Sequence, residues 1–394
     1  MKSLNFEALT PYKPDPILGL AEKVKADNRP EVLDCSIGLL VGSDQTSTKK
    51  IWIPKIVEKA LSPSILDAYE SIAGNKDFLE LVTNFLRLEK SLVFQTLGSS
   101  QACRLSFELC KALGISKVIV TNPTWPNHLQ MIKHLGLNAV QVNHINEAGD
   151  INFEAIFEVV RQHSVNEHVA LLIHGSCQNP TGLDFDKVQL AQLLKEEPVI
   201  PIIDFSYHGL GDEELEAFML ENFNNLPIGF LCYSFSKTAG LYNQRLGCLF
   251  VKCPQEKIDL FKGQITTLIR THNSTPCGAG ARIMASVMES EDNLKEWRRE
   301  VERAKEHLTN LRLSLVSQLP QEISNLLAKQ KGLFAFIPKR FLKDSPSKTQ
   351  EQLIKNNALY SVALEEGLRL NIAGLRSEAL ALRAGNVLNS YLAT

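Results

Sequence analysis

Nothing in this 394-residue sequence approaches the run of about 20 apolar residues that a membrane-spanning helix needs, so no span is expected. An excess of one charge is missing as well. Forty-two Lys and Arg stand against 44 Asp and Glu, a formal net charge of -2, which gives no electrostatic reason to expect nucleic acid or an anionic membrane as a partner. The eight cysteines include no C-x-x-C pair, so neither a metal site nor a disulfide framework is expected. Most of them lie in apolar stretches and read as reduced core thiols. The opening residues, Met1-Lys2-Ser3-Leu4-Asn5-Phe6-Glu7, lack the apolar centre of a secretory signal, and a cytoplasmic location is expected. There is no internal repeat and no low-complexity segment. What remains is a globular composition, 44% hydrophobic and 22% charged, long enough for two domains.

The middle of the chain alternates short apolar runs with amphipathic stretches. Val118-Ile119-Val120, Val169-Ala170-Leu171-Leu172-Ile173, Ile200-Pro201-Ile202-Ile203, Gly229-Phe230-Leu231-Cys232-Tyr233 and Leu249-Phe250-Val251 read as buried strands. Continuous rather than alternating apolar runs suit a mostly parallel sheet covered on both faces, hence an α/β fold. Gln101 to Leu113, ended by Gly114, reads as one of the covering helices. From Leu294 the pattern changes. Leu294, Trp297, Val301, Ala304, Leu308, Leu311 and Leu315 recur at steps of three and four, which predicts a long amphipathic helix leading into a second domain. Strands are expected near 332–337 and 368–373, and a terminal helix over 377–392.

Lys237 carries the strongest chemical signal. It lies in Ser234-Phe235-Ser236-Lys237-Thr238-Ala239-Gly240-Leu241-Tyr242-Asn243-Gln244-Arg245-Leu246-Gly247, just after a buried strand. Desolvation there disfavours the ammonium and frees a nucleophilic amine, while the serines and Arg245 offer donors for a phosphate. Together they suggest a Schiff-base lysine beside the phosphate of pyridoxal 5′-phosphate, although a lone loop lysine is common. Asp204 ends the run Ile202-Ile203 and needs a cationic or donor partner, either a pyridinium nitrogen or the N-terminus of the next helix. Tyr207, three residues on, and Asn179 of Asn179-Pro180-Thr181-Gly182 can reach a phenolic oxygen; the tetrapeptide also suits a plain turn. Gly98-Ser99-Ser100-Gln101-Ala102 precedes a helix and can cradle an anion or merely cap it. Trp125 can stack on a flat ring or fill a core, and His128 can support Asp204. Arg369 and Arg270 are candidate carboxylate forks, or surface arginines.

These segments occur in an order that resembles the class I aspartate and aromatic amino acid aminotransferases, fold-type I pyridoxal phosphate enzymes. The match runs from about Ile37-Gly38 to the C-terminus, nearly the whole chain. Its specific motifs are Ser-Phe-Ser-Lys followed by Gly-Leu-Tyr-Asn-Gln-Arg-Leu-Gly, Asn-Pro-Thr-Gly, Asn-Pro-Thr-Trp-Pro-Asn-His and Leu-Arg-Leu-Asn-Ile-Ala-Gly. The resemblance implies that Lys237 forms the Schiff base and then moves the substrate proton. It implies Asp204 on the pyridine nitrogen, Asn179 and Tyr207 on the phenolic oxygen, and Trp125 stacked on the ring. Ser99, Ser100, Ser234 and Arg245 are implied on the phosphate, with Tyr69 reaching in from a neighbouring subunit. Arg369 and the backbone at Gly38 are implied on the substrate α-carboxylate, and a partner's Arg270 on the distal one.

A homodimer with shared sites follows from that resemblance. So does a division into an N-terminal arm and part of a small domain (1–46), a large cofactor-binding domain (47–304) and the rest of the small domain (305–394). Cis peptides are implied at Asn122-Pro123 and Asn179-Pro180. The chain departs from the commonest pattern at Gln178, where histidine is usual, at Ser206, where alanine is, and at His208, where glutamine is common; all three are expected near the ring. Leu39, Val41, Ser100 and Thr275 lean toward relatives that also accept aromatic substrates. The expected activity is amino-group exchange between aspartate or aromatic amino acids and 2-oxoglutarate. A β-lyase or decarboxylase on the same cofactor is the alternative, and a non-catalytic regulator a more distant one.

Overall fold

The computed structural model describes residues 16–40, 69–165, 167–196 and 198–393. After the Pro16–Ala26 helix comes a two-residue strand, β1 (Leu33–Asp34). A seven-stranded sheet follows, built from β2 (Leu92–Thr96), β3 (Lys117–Asn122), β4 (Asn138–Asn143), β5 (Val169–His174), β6 (Val199–Phe205), β7 (Gly229–Ser234) and β8 (Gly247–Lys252). Its order is β2-β8-β7-β6-β5-β3-β4. Every pairing is parallel except the two that β8 makes, with β2 and with β7.

The apolar runs are continuous because both faces are buried. In β5, Val169, Leu171 and Ile173 enter one core while Ala170 and Leu172 enter the other. In β7, Leu231 and Tyr233 face the first, Phe230 and Cys232 the second. The same alternation decides where polar residues go. Asp204 shares parity with Ile200 and Ile202, and Ser234 with Phe230 and Cys232. Both therefore sit on the face that packs against the Gly98–Ala112 helix, whose Ala102, Cys103 and Leu105 belong to that core. His174, Asp204 and Ser234 also lie at or next to the carboxyl ends of adjacent parallel strands, where α/β sheets gather their ligands.

The predicted long helix runs Glu291–Val316, with Ser290 capping its start through a bond from Asn293 N. Trp297 of its first half is buried in the sheet's core, with Leu294 and Val301 packed against that core. Leu308, Leu311 and Leu315 of its second half belong to a separate core. That core covers a three-stranded antiparallel sheet of β9 (Phe334–Pro338), β11 (Val362–Leu364) and β12 (Gly367–Asn371), in the order β11-β12-β9. β10 (Leu359–Tyr360) pairs in parallel with β1, so both ends of the chain join at this second core. The expected boundary at 304 falls inside the long helix; the one at 46 lies outside the described residues, as does Val41. Both expected cis bonds, Asn122-Pro123 and Asn179-Pro180, are present. All eight cysteines are free, six of them buried, Cys253 partly buried and Cys277 exposed. Among the described residues no helix is long and apolar enough to cross a membrane.

Candidate active site

Lys237 follows β7 and turns its amine back to the N-terminal segment, where Nζ donates to the Gly38 carbonyl at 2.7 Å. The rings of Tyr242 and Tyr207 lie 5.1 and 5.9 Å from that nitrogen. Burial, reinforced by the positive charges of Arg369 and Arg245 and opposed by Asp204, brings its pKa down from 10.5 to about 8. The expectation of a desolvated amine holds. Gly38 is glycine for a reason of space: a Cβ there would stand 2.8 Å from Phe334 Cζ.

Asp204 is 3% exposed. Burial alone would raise its pKa. The His128 hydrogen bond, the nearby imidazoles and Ser206 outweigh that and hold it at about 2. An ionised carboxylate only accepts, so His128 Nε2–H donates to Asp204 Oδ2 (3.0 Å), as expected of His128. Thr124 and the edge of Trp125, centroid to centroid 5.0 Å, fix the imidazole from its other sides. His174 is buried beside it with a pKa of about 4, lowered by burial and by His128, against the pull of Asp204. Cys103, His128 and Asp204 hold ligand atoms within 4.8 Å of one another, a set able to hold a metal ion. The same placement is accounted for by the hydrogen bond between His128 and Asp204, beside a thiol that burial and its neighbours keep protonated.

A second end of the site is cationic. The Gly98–Ala112 helix starts without a side-chain cap, leaving its first N–H groups directed outward. The Arg245 guanidinium lies against that start, so close that a Cβ on Gly98 would meet Nη2 at 2.7 Å. Arg245 Nη1 donates to Ser236 Oγ (3.2 Å) and to the Tyr242 carbonyl (3.0 Å). Ser234 is buried beside them, its hydroxyl accepting from Ser236 N at 3.1 Å. Ser99 is buried and Ser100 partly so in the helix's first turn.

Between the two ends, Asn179 Nδ2 donates to Tyr207 Oη (3.2 Å). Asn179 Oδ1 accepts from Arg369 Nη1 (3.2 Å), and Arg369 Nη2 donates to the Ser36 carbonyl at 2.7 Å. The Phe334 ring supports the Arg369 guanidinium at 4.5 Å. Gln178 bridges two segments: Nε2 donates to the Pro123 carbonyl (2.8 Å) while Oε1 accepts from Thr181 N (2.9 Å). It thus locks the loop carrying Trp125 to the loop carrying Asn179.

The structure thus brings Gly38, Ser99, Ser100, Trp125, Asn179, Asp204, Tyr207, Ser234, Lys237, Arg245 and Arg369 together as a candidate site. Two expected members do not join it. Tyr69 is 92% exposed, and the exposed Arg270 turns its guanidinium to Ser274, the residue that caps its own helix. His208, expected near the ring, faces the other side of β6. It meets Tyr233 Oη at 3.0 Å and lines a cavity of about 900 Å³ shared by Trp297 and Glu216, which contains no member of the site. Tyr242, Ser36 and Phe334 have no role in the sequence reading, and Ser236, one of the serines offered there to a phosphate, accepts from Arg245. Tyr242 and Ser236 stood inside the lysine motif; the carbonyl of Ser36 and the ring of Phe334 carried no signal.

The model of the family "Aminotransferase class I and II" matches residues 30–383. An aspartate aminotransferase of Salmonella typhi is 30% identical, over 95% of this chain and 97% of its own. The aromatic amino acid aminotransferase of Psychrobacter sp. B6, crystallised with aspartic acid, superposes with a TM-score of 0.82 at 27% identity, covering 98% of this chain and 99% of that one. The aromatic-amino-acid aminotransferase of Burkholderia pseudomallei superposes at 0.84 and 24% identity, with the same coverage; it is covalently bound to pyridoxal phosphate.

Proposed function

Because the chain belongs to the class I and II aminotransferase family, we propose that it exchanges an amino group between aspartate or an aromatic amino acid and 2-oxoglutarate, in two half-reactions on pyridoxal 5′-phosphate. The observation that carries this reading is the amine of Lys237. Its pKa is about 8, it is held on the Gly38 carbonyl, and it feels the charges of Arg369, Arg245 and Asp204.

The residues fit that cofactor. Arg245 beside an uncapped helix start matches a phosphate, and the low pKa of Asp204 matches a protonated ring nitrogen. When bound, the cofactor supplies an aldehyde carbon and an electron-accepting ring. Ser99, Ser100, Ser234 and Arg245 would hold the phosphate, and Trp125 would cover the ring face. Asn179 and Tyr207 would donate to the phenolic oxygen; burial keeps the Tyr207 phenol protonated for that purpose. Arg369, prealigned by Ser36, Asn179 and Phe334, binds the substrate α-carboxylate and so fixes the α-hydrogen toward Lys237. The neutral Nζ of Lys237 takes that proton and returns it to the carbon receiving it.

The two outliers support a dimer with shared sites. Tyr69 is exposed yet anchored, since its neighbour Glu70 pairs with Arg282 at 2.6 Å. Tyr69 of the partner subunit would reach the phosphate and Arg270 of the partner subunit the distal carboxylate. In this reading residues 47–304 carry the cofactor, while 305–394 and 1–46 build the smaller domain. Leu39, Ser100 and Thr275 support a range extending to aromatic substrates. Eight free thiols suit a cytoplasmic setting.

The test is the visible absorption of the reconstituted protein on adding aspartate, or phenylalanine, without an acceptor. Loss of the cofactor's coloured form, its return with 2-oxoglutarate and no ammonia are expected. Ammonia release would transfer the protein to the β-lyase reading, and no colour after reconstitution would end the enzymatic one.

A further inference from the structure

Asp204 Oδ1 accepts from both the backbone N–H of Ser206 (3.2 Å) and its hydroxyl, while Oδ2 is taken by His128. The Ser206 hydroxyl is also 2.6 Å from Ser99 Oγ. All four residues are buried, none more than 9% exposed. A hydroxyl has one proton. Because the ionised carboxylate only accepts, that proton goes to Asp204. The contact with Ser99 is then a hydrogen bond only if Ser99 donates it. The order of donation is fixed as Ser99 to Ser206 to Asp204. Ser99 opens the helix that forms the anion-binding end, so the chain joins the two ends of the site through 107 residues of sequence separation.

We propose that Ser206 is a positioning residue that couples the carboxylate facing the ring nitrogen to the phosphate end of the cofactor site, holding Asp204 Oδ1 while being held by Ser99. This rests on the cofactor assignment above. With its hydroxyl proton committed to Ser206, Ser99 meets the phosphate through its backbone N–H, not its side chain. The two hydroxyls act in series, so removing Ser206 also disconnects Ser99.

The test reads binding, not turnover. Cofactor-free protein is titrated with pyridoxal 5′-phosphate, and with its 1-deaza analogue, in which carbon replaces the ring nitrogen; tryptophan fluorescence reports occupancy. Ser206→Ala is expected to weaken pyridoxal phosphate binding about tenfold, the scale of one hydrogen bond to a charged group. Ser99→Ala should weaken it about threefold, and the double variant should be no weaker than Ser206→Ala alone. With the deaza analogue the Ser206→Ala penalty should fall below about twofold. Equal affinity of Ser206→Ala and the parent, multiplicative effects of the two substitutions, or an undiminished penalty with the analogue would each overturn the coupling. Should Ser206→Ala not fold, Ser99→Ala alone decides: its penalty must also vanish with the analogue. A parent protein that binds neither ligand would instead remove the cofactor assignment.

Discussion

In the proposed reaction Lys237 has to be neutral, and burial and two arginines favour that form. With a pKa of about 8, roughly 10% of the amine is neutral at pH 7, against about 0.03% for an unperturbed lysine, a gain of about 300-fold. The rate at which cofactor-free protein captures pyridoxal, corrected by the Lys237→Ala variant, should therefore rise about tenfold from pH 7 to pH 9 and then level off. Pyridoxal is the better probe because it lacks the phosphate's own titration. In Arg369→Gln a like charge is gone, and the midpoint should move up by on the order of one unit. The same shift has a stability consequence. The unfolded chain holds more protons than the folded one between about pH 8 and 10.5, so this group's contribution to stability rises with pH across that window. Below it, the cost of the buried ammonium is fully present. Lys237→Met should then raise the melting temperature of the cofactor-free protein at pH 7 and lose that advantage by about pH 10.5. A capture rate that climbs about 100-fold between pH 7 and 9 with no plateau would refute the reasoning, because that is how an ordinary lysine behaves.

Arg369→Ala should cut kcat/KM for amino acids by at least about 100-fold, since it removes a charged fork and leaves Asn179 and the Ser36 carbonyl without its donors. Transamination of a simple amine lacking a carboxylate should be nearly unaffected; an equal loss there would place the arginine elsewhere. Gly38→Ala puts a methyl 2.8 Å from a ring that is itself packed on Arg369, and should cost about 1–3 kcal/mol in a denaturant titration. An unchanged midpoint would mean Phe334 can move aside. Lys237→Ala and Arg270→Ala proteins, each poor on aspartate alone, should regain activity when mixed and refolded together, because one site of each mixed dimer has both residues intact. No recovery would count against sharing of Arg270 between subunits.

Much of this was legible in the sequence because two-sided burial leaves a plain mark. β5, β6 and β7 are buried at every position, and each showed as an unbroken apolar run ending at a polar residue. Lys237, Asp204, Asn179 and Arg369 could be singled out because each sits in a compact motif at a strand end or in a turn. The reversed direction of β8 was not legible, since a buried strand reads alike in either sense. Ser206 stood out only as an unusual residue; its meaning depends on Ser99, and no local pattern reports a contact over 107 positions. The bond from Leu40 N to Tyr242 Oη was invisible for the same reason. His208 was misread by proximity: residues 206–209 form a turn after β6, where strand alternation no longer holds, and that turn carries His208 to Tyr233 while Tyr207 stays with Asn179. Tyr69 and Arg270 belong to a different limit, because their expected place is in a second chain.

The hydrogen bond between Arg369 and Ser36 closes a loop of 333 residues. During synthesis this imposes an order. Ser99, Asp204, Lys237 and Arg245 have all been made by residue 252, and β8 can complete their sheet once it leaves the ribosome. Arg369 is made more than a hundred residues later and must then find Ser36. The nascent chain can thus complete the seven-stranded sheet, with Asp204 and the start of the Gly98–Ala112 helix in place, well before Arg369 joins them, and a ligand gained at that stage would steady the sheet while the last strands are still being made.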